Sequence, residues 1–225
     1  MAEERKKGVI VEFDFAAMDG ADILYRTTSE LLAEIDVIKL DLPTEARYLA
    51  GGNYQGAFEG LFSAVKTKKT AAKAAKELKD RFVAELVKAV PSAVSSSFCG
   101  FVRTLSEQGV KVVISTRATL DEVKSAFEPI LGEKVVLHQE TSSCYGAVKW
   151  DAWRRASAAN SLSVLSTIAV AGSGLSVKSA LLAGMGAIAV INDHVAYQDF
   201  SGADDIVKGL SVATAREILG ILRIG

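Results

Sequence analysis

The sequence predicts an α/β protein: a parallel sheet with helices on both faces and an all-helical domain inserted after the first strand. Three observations predict it. From Phe98 onward, short apolar runs alternate with amphipathic stretches, the pattern of successive strand–helix units. Near the start, the strand formers Val9, Ile10, Val11 and Phe13 run up to Asp14. Between these regions, from Tyr25 to Val90, the pattern is helical and shows no strand.

Taken in order, Met1 to Lys7 is charged and the first strand then runs into Asp14. From Ile23, the residues Leu24, Leu31, Leu32 and Ile35 recur at helical spacing among Arg26, Glu30 and Glu34. Pro43 closes that segment. A second helix is predicted to open at Pro43-Thr44-Glu45, because proline is tolerated in a first turn and an acid there suits the helix dipole. Gly51-Gly52 marks a loop. Helices over Tyr54–Val65 and Thr67–Val90 follow, and Pro91 with Ser95-Ser96-Ser97 marks the return to the sheet. The predicted domains are 1–24 with 91–225 for the α/β core, and 25–90 for the helical insert.

The remaining elements alternate. A helix over Phe98–Gln108 ends at Gly109 and a strand over Lys111–Ser115 ends in Ser115-Thr116. Next come a helix over Leu120–Leu131, a strand over Lys134–His138, a helix over Lys149–Asn160 and a strand over Leu165–Ala171. A helix over Ser176–Ala183, a strand over Ala187–Ile191, a short strand near Ile206 and a helix over Ser211–Leu222 complete the chain. Such alternation argues for parallel strands buried on both faces. In open sheets of this kind ligands bind outside the C-terminal ends of the strands, where the first strand delivers the Asp14 carboxylate.

With 49% hydrophobic and 24% charged residues and a net charge of -1 over 225 residues, the composition gives no reason to expect a nucleic-acid or membrane partner. The apolar stretch from Ser163 to Ile191 is broken by Gly172, Ser173, Gly174, Lys178, Gly184 and Gly186, so it fails as a membrane span. Cys99 and Cys144 lack metal-ligand spacing and follow no signal-peptide pattern, which points to free thiols in a reducing, cytoplasmic compartment.

The order of elements and the residues at the strand ends resemble the haloacid dehalogenase (HAD) superfamily, in its branch with a helical cap after the first strand. The resemblance runs over essentially the whole chain and implies a Rossmann-like core. In that family the first strand ends in Asp-x-Asp with the first Asp as nucleophile. The second strand ends in Ser or Thr, a Lys precedes a later helix, and a further strand ends in acids that hold Mg2+. Asp14 falls at the nucleophile position, Thr116 with Ser115 beside it at the hydroxyl position, and Lys149 at the lysine position. The tail, with Ala183-Gly184-Met185 and Ala203-Asp204-Asp205-Ile206-Val207, resembles the close of phosphoglycolate phosphatases and β-phosphoglucomutases. A register with Asp19-Gly20 as the motif's Asp-Gly would put Ala17 at the nucleophile and is disfavoured, because the apolar run ends at Asp14.

The departures bear on function. The second acid of the first motif falls on Ala16, the metal-binding acid falls on Gly172, and Lys149 is followed by Trp150 where the family commonly has Pro. General acid–base catalysis is worth roughly 10²–10⁴-fold, and metal stabilisation of developing charge adds to it. Without those acids the resemblance implies a catalytically impaired hydrolase relative, a pseudoenzyme that binds a small anionic, phosphate-type ligand or a protein partner. No cofactor is expected, with Mg2+ only if the site is intact. The expected anion donors are Thr116, Lys149 and Ser115, together with Ser173 and Gly174 at a helix N-terminus. The alternative is a working enzyme, either a slow phosphatase or a metal-free dehalogenase-like hydrolase with Asp14 as nucleophile.

Other features read as structural. Lys66, Lys68, Lys69, Lys73, Lys76 and Lys79 form a basic stretch balanced by Glu77, Asp80 and Glu85, a solvated helix face. Trp150 and Trp153, three apart on a helix, are expected to pack as one core face. His138 and His194 have no ligand-spaced neighbours, and Arg47 in the cap receives no role.

Overall fold

The computed structural model describes residues 6–35, 54–62, 70–130, 132, 134–141 and 148–224. The predicted helix start at Pro43, the Gly51-Gly52 loop, Arg47, Cys144 and Lys66, Lys68 and Lys69 lie outside the described residues.

Strand β1 (Lys6–Glu12) is the centre of a six-stranded parallel sheet. Val9, Ile10 and Val11 are fully buried, as a strand covered on both faces requires. It ends two residues earlier than the sequence predicts. Phe13–Ala16 coils into a short helix, α1, so Asp14 sits in a helical turn above the strand and not on its last residue. Helix α2 (Gly20–Ala33) follows, with Asp19 as its N-cap accepting from the Asp22 amide at 3.4 Å. Gly20 is required there, because a Cβ would run into the Asp14 carbonyl.

Helices α3 (Tyr54–Phe62) and α4 (Ala71–Ala93) complete the described part of the segment between β1 and β2, and that part contains no strand. On α4, Ala74, Leu78, Phe82, Leu86 and Val90 recur every fourth residue, and all are buried in a stripe on a helix that packs against α2 and α3. The helix runs past the predicted stop at Pro91, because proline in the last turn removes one backbone donor and the Val94 amide still closes on Val90 at 3.1 Å.

After α5 (Ser96–Glu107) and the turn at Gly109 come β2 (Lys111–Thr116) and α6 (Leu120–Phe127), which tightens into a 3-10 turn at Glu128–Ile130. The order continues with β3 (Val135–Gln139), α7 (Trp150–Ala159), β4 (Leu162–Ala171) and α8 (Gly174–Ala183). Strands β5 (Gly186–Val190) and β6 (Asp205–Val207) and helix α9 (Val212–Ile221) close the chain. Strand order is β3-β2-β1-β4-β5-β6, so the direction of winding reverses between β1 and β4. That reversal opens a crevice at the C-terminal ends of β1 and β4, beside Asp14. Helices α5 and α9 pack as one pair and α7 and α8 as another, on the two faces of the sheet.

One continuous apolar core runs from the stripe of α4 through α1 into the sheet. Its centre is a ring cluster in which Phe13 meets Phe98 and Phe127 edge to face at 5.2 and 4.8 Å. Phe15 touches Phe82 of α4 at 5.9 Å. No single described helix is long and apolar enough to cross a membrane.

Candidate functional site

Three strand ends meet at the crevice. Strand β1 supplies Glu12 and, one turn on, Asp14; β2 supplies Thr116 and then Arg117; β4 supplies Gly172. Asp14 is fully buried, and both of its oxygens are engaged. The Thr116 hydroxyl donates to Oδ1 at 2.6 Å, while Oδ2 accepts from the Arg117 amide at 2.7 Å and from Arg117 Nη1 at 3.2 Å. Thr116 Oγ1 in turn accepts from the Ala118 amide at 3.1 Å, which fixes the hydroxyl's proton on the carboxylate side.

Arg117 reaches a second acid. Its Nη2 donates to Glu12 Oε1 at 3.1 Å, and the Gly172 amide donates to Glu12 Oε2 at 3.0 Å. The guanidinium lies 4.9 Å over the Phe15 ring and its side chain is 3% exposed. Two carboxylates and one guanidinium thus form a cluster closed off from solvent. Burial pushes the Glu12 carboxyl above the ordinary range, against the opposing pull of Arg117 and the Gly172 amide. For Arg117 burial acts downward, but the carboxylates of Glu12 and Asp14 outweigh it and hold the guanidinium above its usual value.

The other expected site residues do not converge on Asp14. Lys149 is exposed at the N-cap of α7 and its ammonium makes no hydrogen bond or ion pair among the described residues. Arg117, not Lys149, is the cation beside the carboxylate. Ser115 is buried within β2, in register between Glu12 and His138. Ser173 and Gly174 do open α8, but their donors and acceptors are used by the chain. Ser173 Oγ accepts from the Ser176 amide at 3.2 Å, and the Gly174 amide donates to Gln198 Oε1 at 2.8 Å. Asp19 and Asp22 are also committed, Asp19 to the Asn192 amide group at 2.9 Å and Asp22 to Arg26 at 2.8 Å.

The sequence reading missed Glu12 and Arg117. A signal existed for the first: a lone charge inside the run from Val9 to Phe13 cannot be buried without a partner. Arg117 directly follows the Ser-Thr pair, but nothing in its spacing shows that its side chain folds back across the strand ends.

Mg2+ takes close to octahedral oxygen ligation. At the position where the resemblance puts the metal-binding acid stands Gly172, which could not carry one. A Cβ there would collide with the Phe15 carbonyl and Cβ. Both carboxylates at the crevice, Asp14 and Glu12, are paired to the Arg117 guanidinium, and the described residues contain no group of three His, Cys, Asp or Glu able to hold a metal. These residues do not fit the ion.

Beside the cluster, a cleft of about 620 Å3 lies between α4 and the ends of β2 and β3. Lys79, Val83, Val87 and Lys88 line its helix side, and Arg117, Glu122 and Glu140 line its sheet side.

No family model and no curated protein sequence matches the chain. Solved structures do match in fold. A family IA HAD hydrolase from Entamoeba histolytica aligns at TM-score 0.70 with 16% identity, over 96% of this chain and 99% of that one. β-Phosphoglucomutase from Clostridium difficile aligns at 0.66 with 10% identity, over 98% and 100%. CbbY from Rhodobacter sphaeroides, solved with phosphate, aligns at 0.66 with 15% identity, over 91% and 94%. A parallel sheet in this order, a helical segment between its first two strands and end-to-end alignment with these structures give the chain the haloacid dehalogenase fold in its helical-cap form.

Proposed function

We propose that this chain is a HAD-fold hydrolase relative that binds a small anionic ligand without hydrolysing it. The observation that carries the reading is the Asp14 carboxylate, fully buried and bonded on both oxygens to Thr116 and Arg117. A nucleophile must reach a phosphorus atom within about 3–3.5 Å along an open line of approach. Asp14 has no such line. The leaving alkoxide would also need an acid, and Ala16 supplies none.

Binding belongs to the cleft between α4 and the sheet edge, where Lys79, Lys88 and Arg117 stand among Asp80, Glu122 and Glu140 around the apolar strip of Val83, Ala84 and Val87, with Lys88 also paired to Glu85 at 2.6 Å. Small-ligand sites commonly combine a concave apolar wall with a few polar groups at a volume of about 300–1,000 Å3. The cleft lies within that range. The test is a panel of phosphate monoesters with and without Mg2+, run on the wild type and on Asp14→Asn. Turnover should stay at background in both. A rate above about 1 s⁻¹ that disappears in Asp14→Asn would overturn the reading in favour of a working hydrolase.

A further inference from the structure

We infer that Arg117 is a built-in cation that takes the place of a divalent metal in this crevice, so that the chain neither needs nor takes up Mg2+ at Asp14. The argument starts from charge. Glu12 and Asp14 are both without solvent exposure, and buried carboxylates are stable only when paired or neutralised. A divalent ion would answer that need if other oxygen ligands stood around it. Among the described residues no third carboxylate, histidine or cysteine joins the two acids, the Ala16 side chain is apolar, and at Gly172 the Phe15 backbone fills the space a ligand's Cβ would occupy.

The guanidinium answers the need with fewer ligands. It is planar with two forward-pointing nitrogens, so one group satisfies two carboxylates at once. Nη1 takes Asp14 at 3.2 Å and Nη2 takes Glu12 at 3.1 Å. The Phe15 ring covers the guanidinium at 4.9 Å, so one aromatic side chain both screens the cation from water and accepts it on its face. The same ring's backbone closes off Gly172. Closure of the metal position and burial of its replacement therefore come from one residue, and the fixed positive charge repels any second cation from Asp14.

This inference does not depend on whether the chain turns a substrate over. Metal-free turnover through Asp14 would defeat the proposed function and leave Arg117 as the cation; a Mg2+ response would do the reverse.

The experiment is thermal unfolding of the full chain in EDTA and in millimolar Mg2+, with Mg2+ alone as the probe. Wild-type Tm should be the same in both. In Arg117→Ala the buried acids lose their cation, so Tm should fall by at least about 3 °C, and by the same amount in EDTA and in Mg2+, because removing the guanidinium adds none of the oxygen ligands an ion would need. Should Arg117→Ala not fold, Arg117→Lys decides. It keeps one positive charge, and its Tm should be indifferent to Mg2+. A Mg2+-dependent rise in wild type or in Arg117→Lys that is lost on adding Asp14→Asn would overturn the inference. So would a folded Arg117→Ala whose Tm equals that of wild type.

Discussion

Glu12 and Asp14 are two apart in sequence, close enough for both to turn toward the guanidinium that bridges them. The cluster has a measurable pH signature. Because burial raises the native Glu12 above its ordinary value of 4.5, the folded chain binds more protons than the unfolded chain just above that pH. The stability Glu12 contributes is complete below 4.5 and is lost as pH rises through the raised native value. Wild type should therefore lose stability relative to Glu12→Gln as the pH climbs from about 4.5 toward neutral. Urea unfolding at a series of pH values reads the difference, and a gap that does not change with pH would show that burial does not raise Glu12. Gly172 makes a second prediction at this scale. Restoring a side chain forces Phe15 away, so Gly172→Ala should cost about 1–3 kcal/mol, and Gly172→Asp should cost more without creating a metal site. A melt of Gly172→Ala indistinguishable from wild type would show that the Phe15 contact yields freely.

Among the elements, α7 shows how far helical spacing carries. Trp150 and Trp153 were expected on one core face. Trp153 is buried, with its indole N–H donating to Ser179 Oγ of α8 at 2.9 Å, whereas Trp150 is 49% exposed under the Arg154 guanidinium. A three-residue step turns the helix by most of one revolution and not a whole one, and at the first turn of α7 that is enough to leave Trp150 outside. Trp153→Ala should cost about 3–5 kcal/mol, while Trp150→Ala should stay within about 0.5 kcal/mol. Denaturant midpoints compare the two directly, and equal losses would mean that α7 packs differently. Helix α4 is the opposite case. Its apolar residues Ala74, Leu78, Phe82, Leu86 and Val90 repeat every fourth position over more than four turns, and all of them are buried despite Pro91 near the helix end. Its N-terminal cap was less legible, since Thr70 accepts from the Lys73 amide three residues beyond the predicted start.

Across the whole molecule, the sheet order places the reversal between β1 and β4 beneath Asp14, so the sequence's choice of anchor residue coincides with the crevice of the fold. The alternation of apolar and amphipathic stretches was sufficient for the α/β core, because strands buried on both faces must be apolar throughout and helices covering them must be so on one side. The absence of acids at Ala16 and Gly172 was equally legible, since it is a matter of composition at counted positions. What the sequence by itself determined is therefore the alternating strands and helices, the helical pattern between the first two strands, and that Ala16 and Gly172 stand where the resemblance places acids. Only the tertiary structure decided what fills the vacated chemistry: Arg117 folding across two strand ends to Glu12, Phe15 lying against Gly172, and Lys149 left in solvent. Those outcomes depend on side-chain directions and on contacts more than 100 positions apart in the chain, such as Asp14 with Thr116 at a separation of 102. Periodicity reports which face of an element is buried, but it carries no information on which groups meet across it.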